Sequence, residues 1–144
     1  MYQHILIPTD GSELAERAVR HGLSLAKFVG AKVTAVIVEE RLPGWLSLAG
    51  VAEAVAQSAE QIKKHAASAL DRVANAAKGA GVSCETIQVE NVQPYQAIIA
   101  TAEDKGCDLI VMSSHGLSGL SMLLIGSVTN KVLTYAKTAV LVCR

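Results

Sequence analysis

Residues 4–38 read HILIPTDGSELAERAVRHGLSLAKFVGAKVTAVIV, and this stretch decides the fold. It opens on an aliphatic run, 4–7, of the kind that forms a strand buried on both faces. After Pro-Thr-Asp-Gly-Ser, residues 13–29 carry Leu14, Ala18, Leu25 and Phe28 near a 3.6 period, and Gly30 stands where a helix would stop. A second run rich in Val and Ile, 32–38, follows at once. Strand, helix and strand in that order make a βαβ unit, and its strands lie parallel because parallel neighbours need a crossover of about a dozen residues or more.

The same rhythm continues along the chain. Strand-like runs recur at 82–90, 109–112 and 139–143. Between them, Val51, Val55, Ile62, Ala66, Leu70, Val73 and Ala77 recur at steps of three, four or seven, which predicts a helix over 51–78 closed by Gly79 and Gly81. Pro94 suits the first turn of a further helix running through Ile98 and Ala102 to Lys105, with Gly106 after it, and a last helix fits 127–136. Strands alternating with helices predict an α/β fold over a single domain, residues 1–144, in which helices cover both faces of an open parallel sheet. The 22 alanines allow close helix-to-sheet packing and explain how a chain that is 51% hydrophobic has only 3% aromatic residues. One segment breaks the rhythm. Residues 41–50 read as a loop carrying Leu42, Pro43, Gly44, Leu46, Leu48 and the one Trp, Trp45. Either Trp45 tucks onto the body as a satellite cluster, or the segment is a lid or a contact for a protein partner.

Composition narrows the function. The 144 residues hold 13 Lys+Arg and 13 Asp+Glu, a net charge of zero, so there is no basic field for bulk binding of nucleic acid. At this length folding hides roughly 70% of the unfolded chain's surface, enough for a core without disulfides. Apolar stretches such as 109–112 and 122–125 are far shorter than the ~18 residues of a membrane span. The N-terminus runs straight into a strand pattern without a signal-peptide design, so the expected location is cytoplasmic. Cys84, Cys107 and Cys143 are odd in number and too widely spaced for a metal cluster, and each lies in or beside an apolar segment. They read as reduced core or near-core thiols.

Open α/β sheets place ligands at the C-terminal ends of their strands, which singles out two loops. After the first strand comes Pro8-Thr9-Asp10-Gly11-Ser12-Glu13. After the fourth, which ends at Met112, comes Ser113-Ser114-His115-Gly116-Leu117-Ser118-Gly119, leading to Gly126-Ser127-Val128 at a helix start. If the chain reverses across the sheet between these strands, both loops border one crevice. Glycines allow close backbone approach, and the free N–H groups of a helix beginning near Ser127 would suit a phosphate, although Ser127 is equally suited to be an N-cap. Asp10, with Glu13 three residues on, fits a capping box as well as a carboxylate accepting hydrogen bonds from a ribose or base edge. His115 shows no nucleophile or carboxylate partner in sequence. His4, His21 and His65 read as strand-edge or helix-surface residues. A G-x-G-x-x-G dinucleotide fingerprint, a P-loop and a G-x-S-x-G nucleophile elbow are all missing from the sequence.

Four segments together resemble the universal stress protein family. They are Ile-Leu-Ile-Pro-Thr-Asp-Gly-Ser at 5–12, Leu-Ile-Val-Met-Ser-Ser-His-Gly at 109–116, Leu-Leu-Ile-Gly-Ser-Val-Thr-Asn-Lys-Val-Leu at 123–133, and Thr-Ala-Val-Leu-Val at 138–142. The family's nucleotide-binding branch carries G-x2-G-x9-G-[ST]. Gly116, nine intervening residues, Gly126 and Ser127 match its second half, while its first glycine falls on Ser113. The serine weakens the pattern without excluding it, since it has a Cβ but is small and can donate a hydrogen bond. The resemblance implies a five-stranded parallel sheet in the order 3-2-1-4-5. It also implies that Asp10 meets the ribose or adenine region, that Val38 meets the adenine through its backbone, and that Pro8, Thr9, Met112 and His115 line the same crevice. Gly116, Gly126, Ser127 and Val128 would hold the phosphates.

The resemblance further implies an adenine nucleotide partner, ATP or else ADP or AMP, with Mg2+ or Mn2+ through the phosphates. It implies a homodimer through the short, apolar strand Ala139–Cys143. The function expected is that of an ATP-binding regulatory protein of the stress response. The alternative is a family member that binds no nucleotide and works as a protein-interaction module through the dimer surface and the Trp45 loop. With no base–nucleophile pair in the sequence, any ATP hydrolysis or self-phosphorylation at Ser114, Ser118, Ser121 or Ser127 is expected to be slow.

Overall fold

The computed structural model describes residues 1–41, 44–48, 50–116 and 124–144, and the side chains at 46 and 47 fall outside that description. Leu42, Pro43, the Leu46 side chain, Leu117, Ser118, Gly119 and Ser121 therefore lie outside the described residues. Five strands are described: β1 (His4–Pro8), β2 (Lys32–Glu40), β3 (Cys84–Asn91), β4 (Leu109–Ser113) and β5 (Ala139–Cys143). The helices are α1 (Glu13–Val29), α2 (Trp45–Leu48), α3 (Ala52–Ala80), α4 (Pro94–Lys105) and α5 (Ser127–Tyr135). All strand pairings are parallel and the order is β3-β2-β1-β4-β5. The chain thus moves outward from β1 on one side and restarts at β4 on the other. This places the switch point between the C-terminal ends of β1 and β4.

Two apolar layers sandwich the sheet. On one face Ile5, Ile7, Val33, Ala35, Ile37 and Val111 pack against Val19, Leu23 and Ala26 of α1 and Ala66, Leu70 and Val73 of α3. On the other, Leu6, Val36, Ile110 and Met112 meet Ile98 and Ala102 of α4 and Val132 of α5. The central strands β1 and β4 are buried at every residue, while β5 at the sheet edge is at most half-buried.

The stripe that α1 buries differs from the sequence expectation. Ala15, Ala18, Val19, Gly22, Leu23 and Ala26 face the core, and Phe28 is 88% exposed. Small residues face the sheet because the helix lies very close to it. A Cβ built at Gly22 would sit 2.6 Å from Ile7 Cδ1 and 3.4 Å from Val111 Cγ1. In α3, Ala66, Leu70, Val73 and Ala77 are buried as the periodicity predicts, joined by Ala69, but Ile62 is exposed, as is Val51 at the N-cap. With 29 residues α3 is about 44 Å long, whereas the nine residues of β2 span about 30 Å, so the first half of the helix outruns the sheet.

Two further expectations are corrected. Residues 45–48 form a one-turn helix, and Trp45, at 65% exposed, does not tuck onto the body. His4 is neither at a strand edge nor on a helix surface. It is buried on the central strand, with Nε2 2.8 Å from Thr34 Oγ1 and Nδ1 3.1 Å from Lys105 O. The three cysteines are free thiols, and burial pushes Cys107 up to about 11, which suppresses its thiolate. Among the described residues no helix is long and apolar enough to cross a membrane.

Candidate functional site

The loop after β1 is ordered by its own backbone. Thr9 N–H donates to Val36 O at 2.9 Å, extending the β1–β2 ladder by one residue. Asp10 Oδ1 accepts from Ser12 N at 2.9 Å and Thr9 Oγ1 accepts from Gly11 N at 3.2 Å, a tight turn in which Gly11 takes φ +76°. Ser12 is the N-cap of α1, its hydroxyl accepting from Ala15 N at 3.2 Å. The capping-box reading of Asp10 is thereby corrected, because the cap lies two residues later and Asp10 instead shapes the turn that leads into it. His65 reaches across from α3, with Nε2 3.2 Å from Asp10 O.

The loop after β4 is held at both ends. Ser114 N–H donates to Cys143 O at 2.8 Å, and Gly126 N–H returns to donate to Ser114 O at 2.7 Å. Thr129 Oγ1 donates to Ser113 O at 2.9 Å, pinning α5 to the end of β4. Ser113 is buried and its hydroxyl donates to His115 O at 2.7 Å, so it serves the loop's own backbone. His115, which the sequence left without a nucleophile nearby, has Ser114 Oγ 3.0 Å from Nδ1. Ser114 is buried and does not line the crevice, so this pair orients the imidazole and does not present a nucleophile to a ligand.

The cap of α5 is Gly126, without a side-chain cap bond, and Ser127 is the first helical residue. The N-cap reading of Ser127 is corrected accordingly. The first bond inside this helix is Asn130 N–H to Gly126 O at 2.9 Å, so the N–H groups of Ser127, Val128 and Thr129 have no partner within it. They stand at the positive end of the helix dipole.

The two loops border one crevice of about 500 Å³, a size that suits a small organic ligand. Pro8, Thr9, Asp10, Val38, Met112, Ser113, His115, Gly116, Gly126, Ser127 and Val128 all line it. Sequence reasoning missed Ala15, Val36, Glu40, Pro94, Ile98, Leu124, Ile125 and Thr129. The signal for two of these was present, since Pro94 and Ile98 are four apart and share one face of α4. The crevice has two ends of different character. Val36, Val38, Ile98 and Met112 make an apolar slot between sheet and α4, and the start of α5 with Gly116 makes a polar end rich in backbone donors. At Gly116 a Cβ would collide with Asp10 Oδ2, and at Gly126 it would sit 3.1 Å from Ser114 O. Both positions therefore favour glycine for space. Among the described residues, no group of three His, Cys, Asp or Glu is placed to hold a metal ion.

Comparison with known proteins agrees with this fold. The family model for the universal stress protein family matches residues 1–144. The chain is 37% identical to universal stress protein MJ0531 of Methanocaldococcus jannaschii over 145 residues, covering all of this chain and 83% of that one. It is also similar to the solved structure of MJ0577 from the same organism, with TM-score 0.82, 30% identity, and coverage of 99% of this chain and 95% of that one. A universal stress protein solved in complex with cAMP superimposes with TM-score 0.70 at 26% identity, covering 99% and 97% of the two chains.

Proposed function

The chain belongs to the universal stress protein family, and from that premise we propose that its crevice binds an adenine nucleotide, making it a nucleotide-sensing regulatory protein of the stress response. The observation that carries this reading is the pairing, within one crevice, of an apolar slot with helix-start N–H groups that have no partner within their helix. An adenine ring buries flat apolar surface, and phosphate oxygens take N–H donors at a helix start. The complex of a relative with cAMP supports the same assignment. In this reading Val38 and Met112 flank the base and Asp10 meets the ribose. Gly116, Gly126, Ser127 and Val128 cradle the phosphates, and ATP brings Mg2+ or Mn2+ bound to its own phosphates. The protein works in the cytoplasm as a homodimer joined through β5, whose outer edge has no strand beside it among the described residues.

The test is to denature purified protein, identify any released small molecule by mass, and titrate nucleotide-free protein with ATP and magnesium by calorimetry. Adenine nucleotide carried through purification, or micromolar affinity, supports the reading. Empty protein with a flat titration overturns it. Sizing with light scattering tests the dimer, and a monomer at micromolar concentration overturns that part. One observation favours a second reading, a protein-interaction module without nucleotide: Trp45 and Leu48, in the segment that follows β2 in the chain, are 65% and 89% exposed. A flat titration would make that segment the next target.

A further inference from the structure

The outer face of α1 takes no part in the crevice and carries a chemistry of its own. We infer that this face is a docking site for a short acidic segment of a partner protein, with Arg17 and Arg20 pairing its carboxylates and Phe28 taking one of its apolar side chains. The inference does not depend on nucleotide binding, because none of these residues lines the crevice.

After Glu13 and Glu16 in its first turn, α1 holds no Asp or Glu, while Arg17, Arg20 and Lys27 follow before it ends at Val29. Glu16 is already engaged by Arg72 of α3 at 2.9 Å. Other cations have carboxylates within reach: Arg41 and Lys63 lie beside Glu90, Lys64 beside Glu60 and Lys105 beside Glu85. Among the described residues Arg17 and Arg20 enter no such pair. Arg17, His21, Ser24 and Phe28 follow one another at steps of four, three and four and so share one side of the helix, away from the buried Ala15, Ala18, Gly22 and Ala26. Together with Arg20 and Leu25 they line a groove of about 520 Å³. Leu25 packs against the core cluster, which gives the groove an apolar wall fixed to the body of the protein.

This composition defines the occupant. Each planar guanidinium takes a carboxylate through two parallel N–H···O bonds. Phe28, the one phenylalanine of the chain, is 88% exposed and leaves its ring free to cover an apolar side chain. Arginine and aromatic residues together are what protein interfaces are enriched in. Arg17 and Phe28 are eleven residues apart, about 16 Å along the helix, a distance that an extended segment of about six residues covers. A long polyanion fits less well. The molecule has a net charge of zero, so it exerts no long-range pull on nucleic acid or an anionic membrane. A local cationic groove on a neutral body suits a short segment met at close range.

The experiment is fluorescence anisotropy of the full chain with a labelled hexapeptide alternating glutamate and leucine, and with its glutamine–leucine and lysine–leucine counterparts. The glutamate peptide should bind at least about tenfold more tightly than the glutamine peptide, the lysine peptide should not bind, and raising salt from about 50 to about 300 mM should weaken the glutamate peptide. Arg17→Glu with Arg20→Glu should weaken it at least about tenfold, and Phe28→Ser about threefold or more. All three positions are exposed, so thermal unfolding should stay unchanged. In the unaltered protein, amide chemical shifts moved by the glutamate peptide should cluster on α1. Equal binding of the glutamate and glutamine peptides, no binding of either, or shifts confined to other elements would overturn the inference. So would cosedimentation with phosphatidylserine vesicles without peptide binding, which would assign the face to a membrane. A change of oligomeric state in Phe28→Ser by light scattering, without peptide binding, would assign it to a second copy of the chain and overturn the inference as well.

Discussion

Asp10 and Gly116, 106 positions apart in sequence, meet so closely at the switch point that a Cβ on Gly116 would strike Asp10 Oδ2. This close approach sets the loop after β1 against the loop after β4, with no room for a side chain at Gly116 unless Asp10 gives way. Gly116→Ala should therefore force the two loops apart and weaken adenine nucleotide binding at least about tenfold, equivalent to about 1.4 kcal/mol. Thermal unfolding should change little, since Gly116 is exposed and outside the core. Unchanged affinity by calorimetry would show that the two loops do not act together on the ligand.

Ser113 stands where the family's nucleotide-binding pattern has its first glycine, and the structure gives its hydroxyl a partner in its own loop, His115 O at 2.7 Å. Ser113→Gly should therefore leave nucleotide affinity within about threefold, while removing that bond lowers stability by about 0.5–1.5 kcal/mol. A large gain in affinity would instead mean that the serine obstructs the site.

Gly22 lets α1 lie against the sheet, its missing Cβ leaving room for Ile7 Cδ1. In an exposed helix Gly→Ala would stabilise, because alanine is the better helix former. Here the added methyl meets a fully buried Ile7 beside Val111. Gly22→Ala should cost roughly 1–3 kcal/mol in urea unfolding through overpacking. A rise in stability would show that the interface yields easily.

His4 makes stability depend on pH. Burial lowers its pKa below the ordinary 6.5, and the Lys32 charge opposite it in register adds to that. The hydrogen bond to Lys105 O and the carboxylates of Asp108 and Glu85 act the other way without reversing the direction. The unfolded chain thus binds the proton more readily than the folded one, and stability rises with pH wherever that holds. His4 should be fully accommodated above 6.5 and should begin to destabilise the fold as pH falls through that value. Urea midpoints should drop between about pH 7.5 and about pH 5.5, and less so in His4→Gln. An equal drop in the variant would assign the effect to other groups.

The residues of the candidate site were more legible in the sequence than their local roles. Glycine spacing, the loops at strand ends and the family resemblance together led to eleven residues that line one crevice, because such loops end where the strands end. Their individual tasks were not readable. Asp10, Ser12 and Glu13 all suit a helix start by residue type, and only the backbone path shows that Ser12 is the cap. Ser127 and Gly126 differ by a single position in the same way. The lining from α4 and Glu40 was missed because it comes from segments that approach the crevice through packing and not through a motif.

By itself the sequence determined the alternation of strands and helices, and with it a parallel sheet, because side-chain periods of 2 and 3.6 and the glycines that stop helices act over a few residues. The tertiary structure decided what those faces meet. Phe28 and Ile62 fit an apolar period yet face outward, since α1 presents its small residues to the sheet and α3 is longer than the sheet beneath it. His4 is polar yet buried, because the strand order puts β1 at the centre with Thr34 and Lys105 O within reach. Periodicity records which way a side chain points from its own element; whether anything lies there depends on the length and order of all the others.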